Sequence, residues 1–230
     1  MLPREVASAA APASGDPRPP VPHTEFLELG DLRFRALLSA QDWASLRPSI
    51  RRRFSKRLSG GHTIVYAGEV LETWMSRVGW CVAQAARLIG GPLPTTRCVH
   101  VPSVVTVTED MATGGQIWTR LYARRNGFPQ VIHSSKRFAG PTGLEEYVGY
   151  GVGMSLTVHV ADDALIFRSH RYFLQLFGRR FAIPAWLTPG TLTVTHAEVA
   201  DHKFSFTLQL VHPRLRLLIR QMAMFREVEP

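Results

Sequence analysis

Cysteine is scarce in this chain: Cys81 and Cys98 are the only two in 230 residues. Two thiols build no disulfide framework, and neither sits in a spacing that zinc requires. The expectation is two free thiols in a reducing compartment. No apolar run reaches the roughly 18 residues that suggest a membrane-spanning helix. Residues 1–24 lack the basic start and apolar stretch of a secretory signal. Acidic residues are outnumbered, 18 against 27 basic ones, for a net charge of +9. Such a balance permits attraction to nucleic acid, anionic lipid or acidic protein and requires none of them. No RNA motif or recognition-helix pattern accompanies the charge, so nucleic acid is a disfavoured partner. The chain is expected in the cytoplasm, at most peripheral to the inner membrane.

Signatures of cofactor and metal chemistry are missing as well. There is no GxxxxGK[ST] phosphate loop. The run Gly149-Tyr150-Gly151-Val152-Gly153 has the wrong spacing for a dinucleotide fingerprint and lies between strands, not before a helix. Its glycines read as relief of crowding where a sheet bends. Gly-x-Ser-x-Gly is absent, and so are His-x-His and His-x-x-x-His pairs. His196 and Glu198 share a strand face, a geometry two metal ligands can use, but hydrogen-bonded polar residues at a strand end are the simpler reading. No cofactor and no metal are expected.

What the sequence does contain is strands. Phe204-Ser205-Phe206-Thr207-Leu208-Gln209-Leu210 alternates apolar and polar residues without a miss. A first strand is expected over 62–75, with Ile64, Tyr66, Val70 and Trp74 on one face. Others follow over 103–109, 116–124, 130–138, 144–150, 152–160, 164–173, 191–199, 203–211 and 214–228. Thr113-Gly114-Gly115, Asn126-Gly127 and Asp162-Asp163 supply hairpin turns. Residues 178–190 read as a longer excursion. Helical spacing appears over 34–46, from Pro48 to about 58, and over 78–89, where Gly90-Gly91-Pro92 stops it. The fold class is therefore mainly β (α+β): a curled antiparallel sheet or β-barrel of eight to ten strands. N-terminal helices precede it, and one helix is inserted after the first strand, placed to cover one mouth. Residues 1–24 are an Ala/Pro-rich tail expected to be disordered, and 25–230 a single barrel-like domain.

The candidate site residues follow from strand faces. Trp118, Arg120 and Tyr122 share one face of their strand. Leu165, Phe167, Arg171 and Phe173 are read as sharing one face of theirs, and Glu146 points opposite to Glu145 and Tyr147. If Arg120, Glu146 and Arg171 face inward they need partners, because an unpaired buried charge costs several kcal/mol. Those partners are either one another or an anionic ligand group; alternatively the arginines face solvent and stack on the aromatics. A second cluster, Arg47, Arg51, Arg52, Arg53, Lys56 and Arg57, is either a solvated helix face or a contact for phosphate or anionic lipid. Residues 177–187 mix aromatics with arginine and suit a membrane-dipping loop or a lid on the barrel mouth.

Several of these runs carry a resemblance. Trp118-Thr119-Arg120-Leu121-Tyr122, His133-Ser134-Ser135, Leu144-Glu145-Glu146 with Gly149, the Asp162-Asp163 hairpin, and Phe177-Gly178 followed by Ile183-Pro184-Ala185-Trp186-Leu187 are similar to the bacterial domain-of-unknown-function family 4166. So is Leu46-Arg47-Pro48 ahead of Arg51-Arg52-Arg53-Phe54. The likeness covers roughly 34–228 and implies no activity. It implies a context, as stand-alone proteins or appendages to dehydrogenase-like reductases and membrane proteins. This chain is expected to be the stand-alone form, with a reductase among its conceivable partners.

The leading functional expectation is binding of a hydrophobic or amphipathic small molecule, lipid-like or polyketide-like, inside the curled sheet. Trp74, Trp118, Tyr122 and Phe167 would supply apolar wall, and Arg120, Arg171 and Glu146 would orient a polar head. One alternative is a cofactor-independent isomerase or cyclase with Glu146 or His133 as general acid or base. The other is an interaction module docking through the Arg47–Arg57 cluster on an anionic membrane or protein.

Overall fold

A computed structural model of the chain describes residues 30–58, 60, 62–200 and 202–228. The Ala/Pro-rich tail lies outside the described residues. Among the described residues eleven strands run β1 Ile64–Met75, β2 Cys98–Asp110, β3 Gly115–Tyr122, β4 Gln130–Arg137, β5 Glu145–Gly149, β6 Val152–Ala161, β7 Ala164–Leu176, β8 Arg179–Ala182, β9 Thr191–Ala200, β10 Lys203–His212 and β11 Arg216–Val228. Each strand from β1 to β7 pairs antiparallel with the next, β7 pairs with β9, and β9, β10 and β11 continue round to β1. Ten strands thus close a barrel, which removes the exposed edges that so long a meander would otherwise present. The eleventh, β8, falls within the excursion expected over 178–190. It pairs only with the end of β7, Phe173–Leu176, while Leu165–Arg168 of the same strand pair with β9. The Asp162-Asp163 turn joins β6 to β7 with both residues at positive φ, 50° and 57°, as a two-residue hairpin of the primed type requires.

Two β-bulges correct the face assignments read from strict alternation. On β1 the register jumps between Val70 and Glu72, so Thr73 and Met75 turn inward and Trp74 turns outward. Where β6 meets β7, Ser155 faces Arg171 and Leu156 faces Ser169, leaving His170 extra. Leu165, Phe167 and Ser169 point inward before the bulge. After it Tyr172 lines the interior, and Arg171 lies exposed on the outside. One inserted residue flips every side chain beyond it.

Helices close the two ends. The helical stretch expected over 34–46 is broken: a 3₁₀ turn Arg35–Leu37 ends at an extended Leu38, and α1 (Ala40–Ser45) starts afresh under a Ser39 cap. The Ser39 hydroxyl accepts from the Asp42 amide at 3.0 Å. Helix α2 (Pro48–Phe54) opens with proline in its first turn and buries Ile50 and Phe54. Phe54 stacks edge-on against Phe34 and His196, each at 5.2 Å, so the N-terminal segment plugs this end with aromatic rings. At the opposite end, α3 (Arg77–Ala85) and a 3₁₀ turn (Ala86–Ile89) lie between β1 and β2, as expected for a helix covering one mouth. Gly149, at φ 140°, lets the β5–β6 turn meet this roof; a Cβ there would stand 2.5 Å from the Ile89 carbonyl oxygen. No helix among the described residues is long and apolar enough to cross a membrane.

Helix α3 docks on β11 through Gly79, where a Cβ would sit 2.0 Å from the Leu218 carbonyl oxygen. Gly→Ala in an ordinary helix stabilises by about 1 kcal/mol. Here Gly79→Ala is expected to destabilise by roughly 1–3 kcal/mol, because the backbone contact must open. Denaturant unfolding checks the sign.

Candidate functional site

The barrel interior is divided into a packed half and a hollow half. Toward the plugged end, Trp118, Phe167, Phe204 and Phe206 surround the His196 ring at centroid distances of 5.4 to 6.3 Å. Only about 10 Å³ is left free there. Toward the mouth lies a cavity of about 270 Å³. Its walls are apolar side chains from opposite arcs of the barrel, among them Ile132, Val148, Met154, Val194, Leu208 and Leu210. Val82, Ala86 and Ile89 roof it from one side, and Ile183 and Leu187 from the other. Arg120 and Glu146 are the charged residues that reach it.

Strand alternation and register bring the charges together. On β3, Gln116, Trp118, Arg120 and Tyr122 are buried; on β4, Ile132, Ser134 and Lys136. Register sets Lys136 opposite Glu146 on β5 and Ser134 opposite Trp118. The Lys136 Nζ lies 3.1 Å from Glu146 Oε1, and Arg120 Nη2 lies 3.7 Å from the same oxygen. Arg120 Nη1 donates to Ser134 Oγ at 3.1 Å. Beneath them Lys136 Nζ stands 5.1 Å from the centre of the Trp118 ring, and the Trp118 indole donates to Gln116 Oε1 at 3.1 Å. All three charged residues are at most 9 % exposed, so two cations share one carboxylate inside an apolar barrel.

The protonation states follow from this layout. Burial alone would raise the Glu146 carboxyl, but Lys136, Arg120 and hydrogen bonds from Ser134 and Lys136 hold it below its ordinary value. Burial lowers the Lys136 ammonium against the pull of Glu146. Burial, reinforced by Arg53, Lys136 and Arg120, drives His196 well below the usual range, so its ring is neutral at pH 7. Burial pushes the Tyr122 hydroxyl up to about 12.

The barrel gathers Trp118, Arg120, Tyr122, Glu146 and Phe167 in its interior. Arg120, Tyr122 and Glu146 line the cavity, whereas Trp118 and Phe167 pack below the ion cluster. Trp74 and Arg171 lie outside, turned there by the two bulges. Trp74 borders a surface groove beside Arg97 and Arg124. His133 is exposed on the outer face of β4, its Nδ1 3.1 Å from Thr119 Oγ1, because alternation gives the inner face to Ile132, Ser134 and Lys136. The basic cluster divides. Arg47, Arg52 and Arg57 are exposed and Arg51 is half-buried. Arg53 pairs with Glu198 at 3.4 Å and lies 3.6 Å above the Phe204 ring, and Lys56 pairs with Glu227. Glu198 is thus engaged by Arg53 rather than sharing a ligand with His196. Among the described residues no group of three His, Cys, Asp or Glu is placed to hold a metal ion. Cys98 Sγ donates to Thr73 Oγ1 at 3.3 Å, and Cys81 is exposed; both thiols are free.

Lys136, Ser134 and Tyr172 were not legible as site residues, and His196 stood out only as a conceivable metal ligand beside Glu198. Lys136 shows only in the β4–β5 register that sets it against Glu146, and register between strands is not written in either strand alone. Tyr172 depends on the bulge at His170.

These features define a class: a closed antiparallel barrel with an apolar inner chamber floored by a buried ion cluster. The chain belongs to the family described as Domain of unknown function (DUF4166), whose model matches residues 46–225. Among curated proteins and among solved structures, nothing matches the chain.

Glu146→Gln strands two buried cations and is expected to lower stability by about 3–5 kcal/mol at pH 7. Adding Lys136→Met should recover most of that loss in a denaturant double-mutant cycle. The folded-state pKa of Glu146 lies below its unfolded value, so its contribution is present above about 4.3 and fades as pH falls through the lower folded value. The stability gap between wild type and Glu146→Gln should therefore shrink on acidification.

Proposed function

We propose that the barrel binds an amphipathic small molecule with an acidic head and a hydrocarbon-like tail, of lipid or polyketide type. The observation that carries this reading is the pairing of an apolar chamber with a floor of surplus positive charge. A tail gains by leaving water for walls such as Met154, Leu208 and Leu210. A head of one negative charge balances the second cation of the Lys136–Glu146–Arg120 cluster. The guanidinium of Arg120 suits it, having donors to spare beyond those aimed at Ser134 and Glu146. The chamber, about 270 Å³, falls near the small end of the roughly 300–1,000 Å³ common for ligand pockets. That size favours medium-length chains.

Glu146 serves here as a counter-ion. An ionised carboxylate held below its ordinary pKa by two cations is a poor proton donor and a weak base. This argues against the isomerase or cyclase reading that would give it acid–base work.

Titration calorimetry with decanoate and decanol tests the proposal. Decanoate should bind, and Arg120→Leu should weaken it by roughly 1.5–3 kcal/mol, about tenfold to a hundredfold, as loss of a charge-assisted contact does. Decanol should bind less tightly and be indifferent to that substitution. Equal losses for both ligands, or no heat from either with the wild type, would contradict the proposal.

A further inference from the structure

Exposed arginines stand at both ends of the barrel, but carboxylates are unevenly placed in its connections. The mouth end is built from the connections 76–97, 123–129, 150–151, 177–190 and 213–215, and none of them contains an aspartate or glutamate. They do contain arginines. Arg77, Arg87, Arg125, Arg179 and Arg214 are all exposed, and none forms an ion pair among the described residues. Asp110, Asp162, Asp163, Glu198 and Glu227 lie at or near strand ends around the aromatic plug at the other end, while Glu69 and Glu72 are exposed along the outer wall on β1 and Glu145 pairs with Arg180.

The same mouth exposes large apolar side chains. Leu88 is 83 % exposed, Tyr150 79 %, Phe177 101 % and Trp186 78 %. Their positions ring the chamber. Leu88 precedes Ile89 of the roof, and Tyr150 sits on the turn whose Gly149 abuts that roof. Phe177 tips the β7–β8 hairpin, and Trp186 adjoins Leu187. Leu187 both lines the cavity and is 59 % exposed, so the chamber reaches the surface within this ring.

We infer that the mouth of the barrel docks on an anionic phospholipid bilayer, with Leu88, Tyr150, Phe177 and Trp186 entering the interface and the surrounding arginines meeting lipid phosphates. Tryptophan and tyrosine favour the headgroup boundary, and each arginine near an anionic surface adds attraction. The orientation sets the chamber opening against the bilayer. A bound amphiphile then passes between lipid and cavity without exposing its tail to water; this last step rests on the binding reading above, while the docking does not. The face differs from the basic helix α2. That helix stands at the plugged end, where Arg53 and Lys56 are held by the barrel's own carboxylates.

Cosedimentation with sucrose-loaded vesicles tests the inference. The protein should sediment with phosphatidylcholine–phosphatidylglycerol (3:1) vesicles, and not with phosphatidylcholine alone, and should release as salt screens the charge. Phe177→Ser/Trp186→Ser and, separately, Arg87→Glu/Arg179→Glu/Arg214→Glu should each weaken vesicle binding about tenfold or more. Both should keep wild-type decanoate affinity in solution, a readout that also reports their folding. Arg52→Glu/Arg57→Glu, on α2 and just past its end, should sediment like wild type. Arg120→Leu should lose decanoate and keep the vesicles, which separates docking from ligand binding. Absence of binding to the anionic vesicles overturns the inference. So does loss of binding in the α2 variant with retention in the rim variants, or loss in Arg120→Leu.

Discussion

The carboxylate of Glu146, held between Lys136 and Arg120, is the interaction on which the interior depends. A barrel of ten strands encloses more space than its inward side chains fill with rings alone. Below the cluster, Trp118, Phe167, Phe204, Phe206 and the neutral His196 fill that space. Above it they do not. Three charged groups cannot retreat into aromatic packing without partners, and each finds one in the others, in Ser134 or over a ring. The cluster therefore fixes where dense packing stops, and the chamber begins there. Its imbalance, two basic side chains to one carboxylate, underlies the ligand preference proposed for that chamber.

Closure and plugging make such a floor sustainable. The ring of strands leaves no free edge in the barrel wall. The plug formed by Phe34 and Phe54, backed by Arg53 on Glu198 and Lys56 on Glu227, shuts the end nearest the aromatic half. With water excluded from that side, electrostatic attraction within the cluster is strengthened and an unbalanced charge becomes costlier. The open half faces the mouth, where α3 approaches β11 closely enough to require Gly79.

Much of the barrel was readable in the residues. Alternation such as Phe204 to Leu210, and turns such as Asp162-Asp163, carry strand identity locally, so ten strands and the mouth helix could be placed. The site was readable only in part. Trp118, Arg120 and Tyr122 sit on an unbroken strand, so alternation put them together on one face, though not which face turned inward. Trp74 and Arg171 each lie beyond a bulge, at Leu71 and at His170, and one extra residue reversed them. Lys136 was missed because its meaning comes from its cross-strand partner. Strand β8 was missed because four residues, Arg179–Ala182, pair only with the end of β7 and bury none of their side chains. No inward alternation marks them.

In the proposed function, an acidic head meets the surplus positive charge of the cluster in an otherwise apolar chamber. Carbon-13 NMR of carboxyl-labelled decanoate, titrated with acid in the presence of the protein, tests it directly. One bound carboxyl resonance should stay ionised well below the pH at which free decanoate protonates, because Arg120 and Lys136 stabilise the anion. A bound carboxyl that protonates at higher pH than the free acid would contradict it, for that is the behaviour of a head group buried in the chamber without a cation.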